Sequence, residues 1–218
     1  MGYRKQDFEI HEYYHLYNRG TEKRRIFLDK KDYEHFLYLM YVCNSTRSIK
    51  TRDLGDFFDR EETIVNIGSY CLMPNHFHIL VKEKVENGIS LFMRKLLTAY
   101  VMYFNLKYKR TGRLFENTFK SSHVSNDRYL KYLYTYIHLN PAKLIDKGWK
   151  EKRTKKVSEL LEFVFDYKYS SLLEYDKSVL EVKRKIINIE VFPKYFDKIE
   201  DHKNELFDWL TLNKYPTG

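Results

Sequence analysis

The chain has 218 residues, of which 43% are apolar, and its 39 Lys and Arg outweigh 30 Asp and Glu to give a formal charge of +9. That is enough apolar material for one packed domain with an appendage, and too much for a disordered chain. Two cysteines exclude a disulfide scaffold, and no apolar run reaches the length of a membrane-spanning helix, so a cytoplasmic location is expected. The basic balance favours a polyanionic partner. The chain also holds 20 Tyr and 15 Phe, interleaved with cations, a composition that suits unstacked bases as well as a core.

In chain order, residues 9–18 have strand character and end at the turn signal Asn18-Arg19-Gly20. Asp29 reads as an N-cap for an amphipathic helix that runs to about Val42, with Tyr33, Phe36, Leu37 and Met40 at helical spacing. After a polar stretch from Asn44 to Glu62, two strand-like runs meet at Pro74-Asn75. Ser90 reads as the cap of a long helix ending before Gly112, and residues 114–124 read as a further strand. Asn126-Asp127 opens a helix that must stop near Asn140, because Pro141 disfavours helical geometry in the residue before it. This order predicts an α+β sandwich with a mainly antiparallel sheet. Beyond the basic run from Lys147 to Lys156, apolar clusters at 160–165, 179–191 and 206–212 predict C-terminal helices packed on the core.

Two features carry possible chemistry. His76 and His78 are two apart in a strand, so both imidazoles face one side while Phe77, Ile79 and Val81 face the core. Two such imidazoles can hold a divalent ion or serve as packing residues with polar tips; with eight histidines in the chain, roughly 0.3 such pairs arise by chance. On the helix before Pro141, Leu130, Leu133, Tyr134 and Ile137 form an apolar arc, while Tyr132, Tyr136 and Asn140 lie on an adjoining one. A tyrosine there can attack a metal-polarised phosphodiester, with the amide oxygen one turn on as a hard ligand, or can simply border the core.

Four ordered motifs make the pattern more specific: YHLYNRG (Tyr14–Gly20), SYCLMPNHFHILV (Ser69–Val81), GRLFENTFKS (Gly112–Ser121) and YLYTYIHLNPAK (Tyr132–Lys143). Together they resemble the IS200-like single-tyrosine transposases, and within that family the branch associated with repetitive extragenic palindromes. The segment YKYSSLLEY (Tyr167–Tyr175) resembles a C-terminal element of that branch. The resemblance implies a ferredoxin-like or RRM-like core of the HUH nucleases in residues 1–150, with 151–218 as a helical extension packed on it. It implies that His76, His78 and Asn140 bind Mg²⁺ or Mn²⁺, and that Tyr136 attacks single-stranded DNA at hairpin or palindromic sites to form a 5′-phosphotyrosine link. The enzyme would act as a monomer or a homodimer.

Arg19, Arg110, Arg113 and Lys120 are candidates for phosphate contact, and Tyr14, Tyr17 and Phe115 for base stacking, although solvated charge and core packing are the ordinary uses of such residues. Two other readings compete. One is a non-catalytic single-strand binder on the same kind of sheet; the other is a phosphodiesterase that uses the histidines with a water nucleophile.

Overall fold

The computed structural model describes residues 7–47, 58–150, 154, 156–175, 186–196 and 198–212. Four strands, β1 (Tyr13–Arg19), β2 (Val65–Met73), β3 (His76–Glu83) and β4 (Lys120–His123), form one antiparallel sheet in the order β2-β3-β1-β4. Helix α1 (Lys30–Cys43) connects β1 to β2 and helix α2 (Gly88–Lys107) connects β3 to β4, each crossover skipping one strand. This is the βαββαβ order of a ferredoxin-like sandwich, and the expected α+β class is borne out.

The two faces of the sheet do different work. Leu16, Phe77, Ile79 and Val81 join Phe36, Met40, Phe92 and Tyr100 of α1 and α2 in one core. The opposite face, including Cys71, Met73 and Leu80, packs against Leu130, Leu133, Tyr134 and Ile137 of helix α3 (Asp127–His138). The apolar arc expected on that helix is therefore the surface it buries. Helices α4 (Val157–Asp166) and α5 (Ile199–Leu212) add a third cluster around Trp149, Leu160, Leu206 and Trp209, which meets Tyr132 of α3.

Local signals fixed most of these boundaries. Asp29 caps α1 in a reciprocal capping box with Asp32, and Asn126 caps α3 by accepting from the Tyr129 amide at 2.8 Å. Pro74-Asn75 is the two-residue turn between β2 and β3. Three expectations need correction. Helix α2 starts at Gly88, not at a Ser90 cap: Asn87 adopts a left-handed conformation (φ 58°) and the buried Glu83 carboxylate accepts from the Ile89 amide at 2.8 Å, supplying the cap from the preceding strand. The strand expected over 114–124 is regular only at Lys120–His123, because Phe115 makes a single bridge to Gly20 before the chain leaves the sheet. Of the apolar cluster at 179–191, the part up to 185 lies outside the described residues, and Ile189–Val191 is a 3-10 turn rather than an α-helix.

Candidate active site

The site is built where β1, β3 and β4 meet the outer face of α3. Pairing places Tyr17 opposite His78 on one side and Lys120 on the other, with Arg19 opposite His76. Since side chains alternate along a strand, His15, Tyr17 and Arg19 of β1 share a face with His76 and His78 of β3, while Phe77 is fully buried on the other side. Phe77 is the expected anchor.

The hairpin turn that delivers His76 is held from outside. Pro74 O accepts from the amides of Ile26 (2.8 Å) and Phe27 (3.2 Å), and Asn75 O accepts from the Gly20 amide at 2.9 Å. The Asn75 side chain donates through Nδ2 to Lys23 O at 3.1 Å, so its Oδ1 is the atom that accepts from His76 Nδ1 at 2.6 Å. His76 Nε2 is consequently the unprotonated nitrogen. His78 Nδ1 lies 2.9 Å from Nε2 of the buried His15, which occupies that nitrogen and turns His78 Nε2 away from it. The His76 and His78 rings are 5.1 Å apart, and His78 is 5.5 Å from the ring of Tyr136.

Tyr136 and Asn140 are one turn apart, as expected, but by a different local geometry. Helix α3 ends at His138, and Asn140 opens a 3-10 turn, Asn140–Leu144, with Pro141 directly after it. The buried Asn140 donates through Nδ2 to Tyr136 O at 2.8 Å and accepts at Oδ1 from Lys143 Nζ at 3.1 Å. Lys150 Nζ lies 3.9 Å from the centre of the Tyr136 ring. Tyr132 stacks on Tyr136 at 5.8 Å.

His76, His78 and Tyr136 open onto a cleft of ≈ 250 Å³ whose other walls include Tyr17, Arg19, Glu116, Lys120 and Lys143. Of the basic candidates, Arg19 and Lys120 reach it; Arg110 and Arg113 are not among its lining residues. Arg110 instead lies against the Phe104 ring at 5.6 Å. Of the stacking candidates only Tyr17 lines the cleft, since Tyr14 and Phe115 are buried in the core.

Burial and the neighbouring cations set the protonation states. His76 is pushed down to about 4 by desolvation, then by Lys143 and Arg19. Desolvation also holds His78 well below the usual imidazole value, with His15, His76 and the lysines adding to it, and lowers His15 to about 4. All three rings are neutral at pH 7. Desolvation raises Tyr136, which is a protonated phenol at rest.

The donor set fits a divalent ion. Two neutral imidazoles have their Nδ1 atoms tied by hydrogen bonds and their Nε2 atoms left as donors, an arrangement that preorganises metal-binding histidines. Among the described residues no group of three His, Cys, Asp or Glu side chains could hold a metal ion, and Asn140, expected as a third donor, is buried with its Oδ1 accepting from Lys143 Nζ and is not among the residues that line the cleft. Sequence reasoning missed His15, Glu116 and Lys143. His15 lies in the alternating run of β1, but only the register of β1 on β3 brings it to His78.

Residues 58–140 match the family model for IS200-like transposases. The resemblance drawn from four motifs is borne out over the segment that carries both histidines, Tyr136 and Asn140. A solved structure of a REP-associated tyrosine transposase bound to a REP hairpin is also similar, at 14% identity and a TM-score of 0.47, covering 80% of this chain and 84% of that one. No curated protein matches.

Proposed function

We propose that this IS200-like protein is a DNA strand transferase that cleaves and rejoins single-stranded DNA, at hairpin or palindromic sites, through a covalent link to Tyr136. The observation that carries this reading is the convergence of His76, His78 and Tyr136 on one cleft with a basic rim. A non-catalytic binder needs no tyrosine beside two neutral imidazoles whose Nδ1 atoms are both tied. His76 Nε2, His78 Nε2 and Asn140 Oδ1 are the atoms that would hold Mg²⁺ or Mn²⁺. When bound, such an ion polarises the scissile phosphate and offsets the charge that develops on it.

The chain's own residues do the rest. Arg19 and Lys120 take phosphate oxygens at the cleft, while Arg110 and Arg113 contact only DNA that flanks it. Tyr136 Oη attacks phosphorus, and the bond from phosphorus to the 3′-oxygen breaks. The phenolic proton is lost and the departing 3′-oxygen gains one, leaving a 5′-phosphotyrosine and a free 3′-OH. Attack by a 3′-OH reverses the step, so the phosphodiester is conserved and no ATP is consumed. Burial makes the phenolate costly, and the ammonium of Lys150 over the ring offsets part of that cost. Residues 1–150 form the catalytic unit in this reading, helix α5 of the C-terminal extension braces α3 from outside through Lys131–Glu205 and Tyr132–Trp209, and the protein works in the cytoplasm.

The test incubates the protein with an end-labelled DNA hairpin bearing single-stranded arms, with Mg²⁺ or Mn²⁺, and resolves the products under denaturing conditions. Wild type should yield a protein–DNA adduct that Tyr136→Phe does not form. Cleavage without an adduct would favour the water-nucleophile reading instead.

A further inference from the structure

A second cavity, of ≈ 270 Å³, opens on another side of α3, where Tyr134 faces the segment leading into α5. Tyr134 and Tyr136 are two residues apart and project about 200° apart around the helix, so this cavity and the catalytic cleft flank the same element. Its walls are aromatic: Tyr195 meets Tyr134 edge-on at 5.7 Å, and Phe196 stacks on His202 at 4.2 Å and 5°. Its rim carries the exposed Lys194 and Lys198 and the exposed carboxylate of Glu190.

At its floor is a polar atom with no partner. His202 is 1% exposed, and its Nδ1 has no hydrogen bond among the described residues. Its other nitrogen is fixed by a buried relay. The Ser171 hydroxyl donates to Tyr70 O (3.3 Å) and accepts from the Tyr70 amide (2.9 Å), so toward His138 Nε2, 2.9 Å away, it is an acceptor. His138 Nδ1 then accepts from His202 Nε2 at 3.2 Å. His202 Nδ1 is left as a bare acceptor. A buried acceptor without a partner is costly, and a ligand N–H at this point would satisfy it.

We infer that this pocket receives one unstacked base of the DNA strand that runs from the catalytic cleft over α3. Tyr195 and Tyr134 supply aromatic surface, His202 Nδ1 accepts from a ring or amino N–H of the base, and Lys194 and Lys198 meet the adjoining phosphates. The inference rests on the strand-transfer reading for its DNA and goes beyond it in assigning a base-binding subsite a few nucleotides from the scissile phosphate.

The experiment uses full-length Tyr136→Phe protein in EDTA, so that binding is read without cleavage. Hairpins whose single-stranded arms carry 5-iodouracil at one position at a time are irradiated and the cross-linked peptides are mapped. One arm position should give an adduct on Tyr195 or Phe196. An abasic site at that position should weaken binding roughly 5- to 150-fold, the range of one base–aromatic stack. Tyr195→Ala should lose a similar factor with intact DNA and no further factor with abasic DNA, and its thermal melt shows whether the fold survives. Tight DNA binding with adducts only in the cleft would overturn the subsite and leave the strand-transfer reading intact. Failure to bind hairpin DNA at all would sink both. Saturable shifts of the His202 resonances by free nucleoside 5′-monophosphates, with no adduct from the DNA arms, would assign the pocket to a free nucleotide instead.

Discussion

His15→Leu isolates the part of the site that no motif announces. His15 and His78 are both buried, with nitrogen atoms 2.9 Å apart. With His78 Nε2 used as a donor to a metal, its proton sits on Nδ1, and His15 Nε2 is the acceptor that holds it there. Leucine keeps most of the volume and removes the acceptor. The stranded N–H costs about 1–3 kcal/mol, which in a chain of this size lowers Tm by roughly 2–12 °C. Metal affinity should fall more tellingly: loss of an outer-shell partner to a ligating histidine costs about 10- to 100-fold. Mn²⁺ titration by calorimetry or paramagnetic resonance reads this directly, and a parallel melt separates it from unfolding. A variant with lowered Tm and unchanged Mn²⁺ affinity would refute the role given to His15, and would mean that packing against Tyr136 alone orients His78.

Other consequences follow from the same geometry. Asn140→Ala removes both the oxygen proposed as a metal ligand and the donor to Tyr136 O, so cleavage should fall at least about tenfold while DNA binding, measured at fixed salt, changes little. Gly20→Ala should destabilise the fold by about 1–3 kcal/mol in a denaturant titration, because a Cβ there would sit 2.3 Å from the backbone oxygen of Arg24, in the loop that pins the hairpin turn. Stability should also fall in mild acid. His202 is held down to about 4 by desolvation, whereas an unfolded histidine takes up its proton near 6.5, so the unfolded state binds more protons in between. Stability present above 6.5 is lost as pH falls toward 4, by on the order of 3 kcal/mol for His202 alone. His15 adds to this in the same window. A melting temperature that stays flat from pH 7 to 4.5 would contradict these burial effects.

The sequence was most legible where the local signal and the tertiary use coincide. Asp29 and Asn126 cap helices because their side chains reach amides within three residues, and the alternation around Phe77 fixes which side of β3 faces the core. The α2 start was misread because its cap comes from Glu83, a strand residue whose carboxylate reaches the helix only after the turn has formed. Asn140 was found by spacing, although the chain there leaves the α-helix for a 3-10 turn that keeps the same one-turn relation to Tyr136. Glu116 and Lys143 were not legible as lining residues of the cleft, nor His15 as the partner of His78, because strand pairing and the turn after Pro141 bring them there. The His138–His202 relay joins residues 64 apart in the chain, and no periodicity in either helix marks it.

Covalent attack by Tyr136 is read most directly by digesting the denatured adduct formed on hairpin DNA with Mg²⁺ or Mn²⁺ and locating the nucleotide by mass spectrometry. A 5′-phosphate esterified to Tyr136, a released strand ending in a 3′-OH, and no adduct when EDTA is present are the expected results. A nucleotide attached to Tyr132 or Tyr17, or an adduct that forms equally well in EDTA, would contradict them.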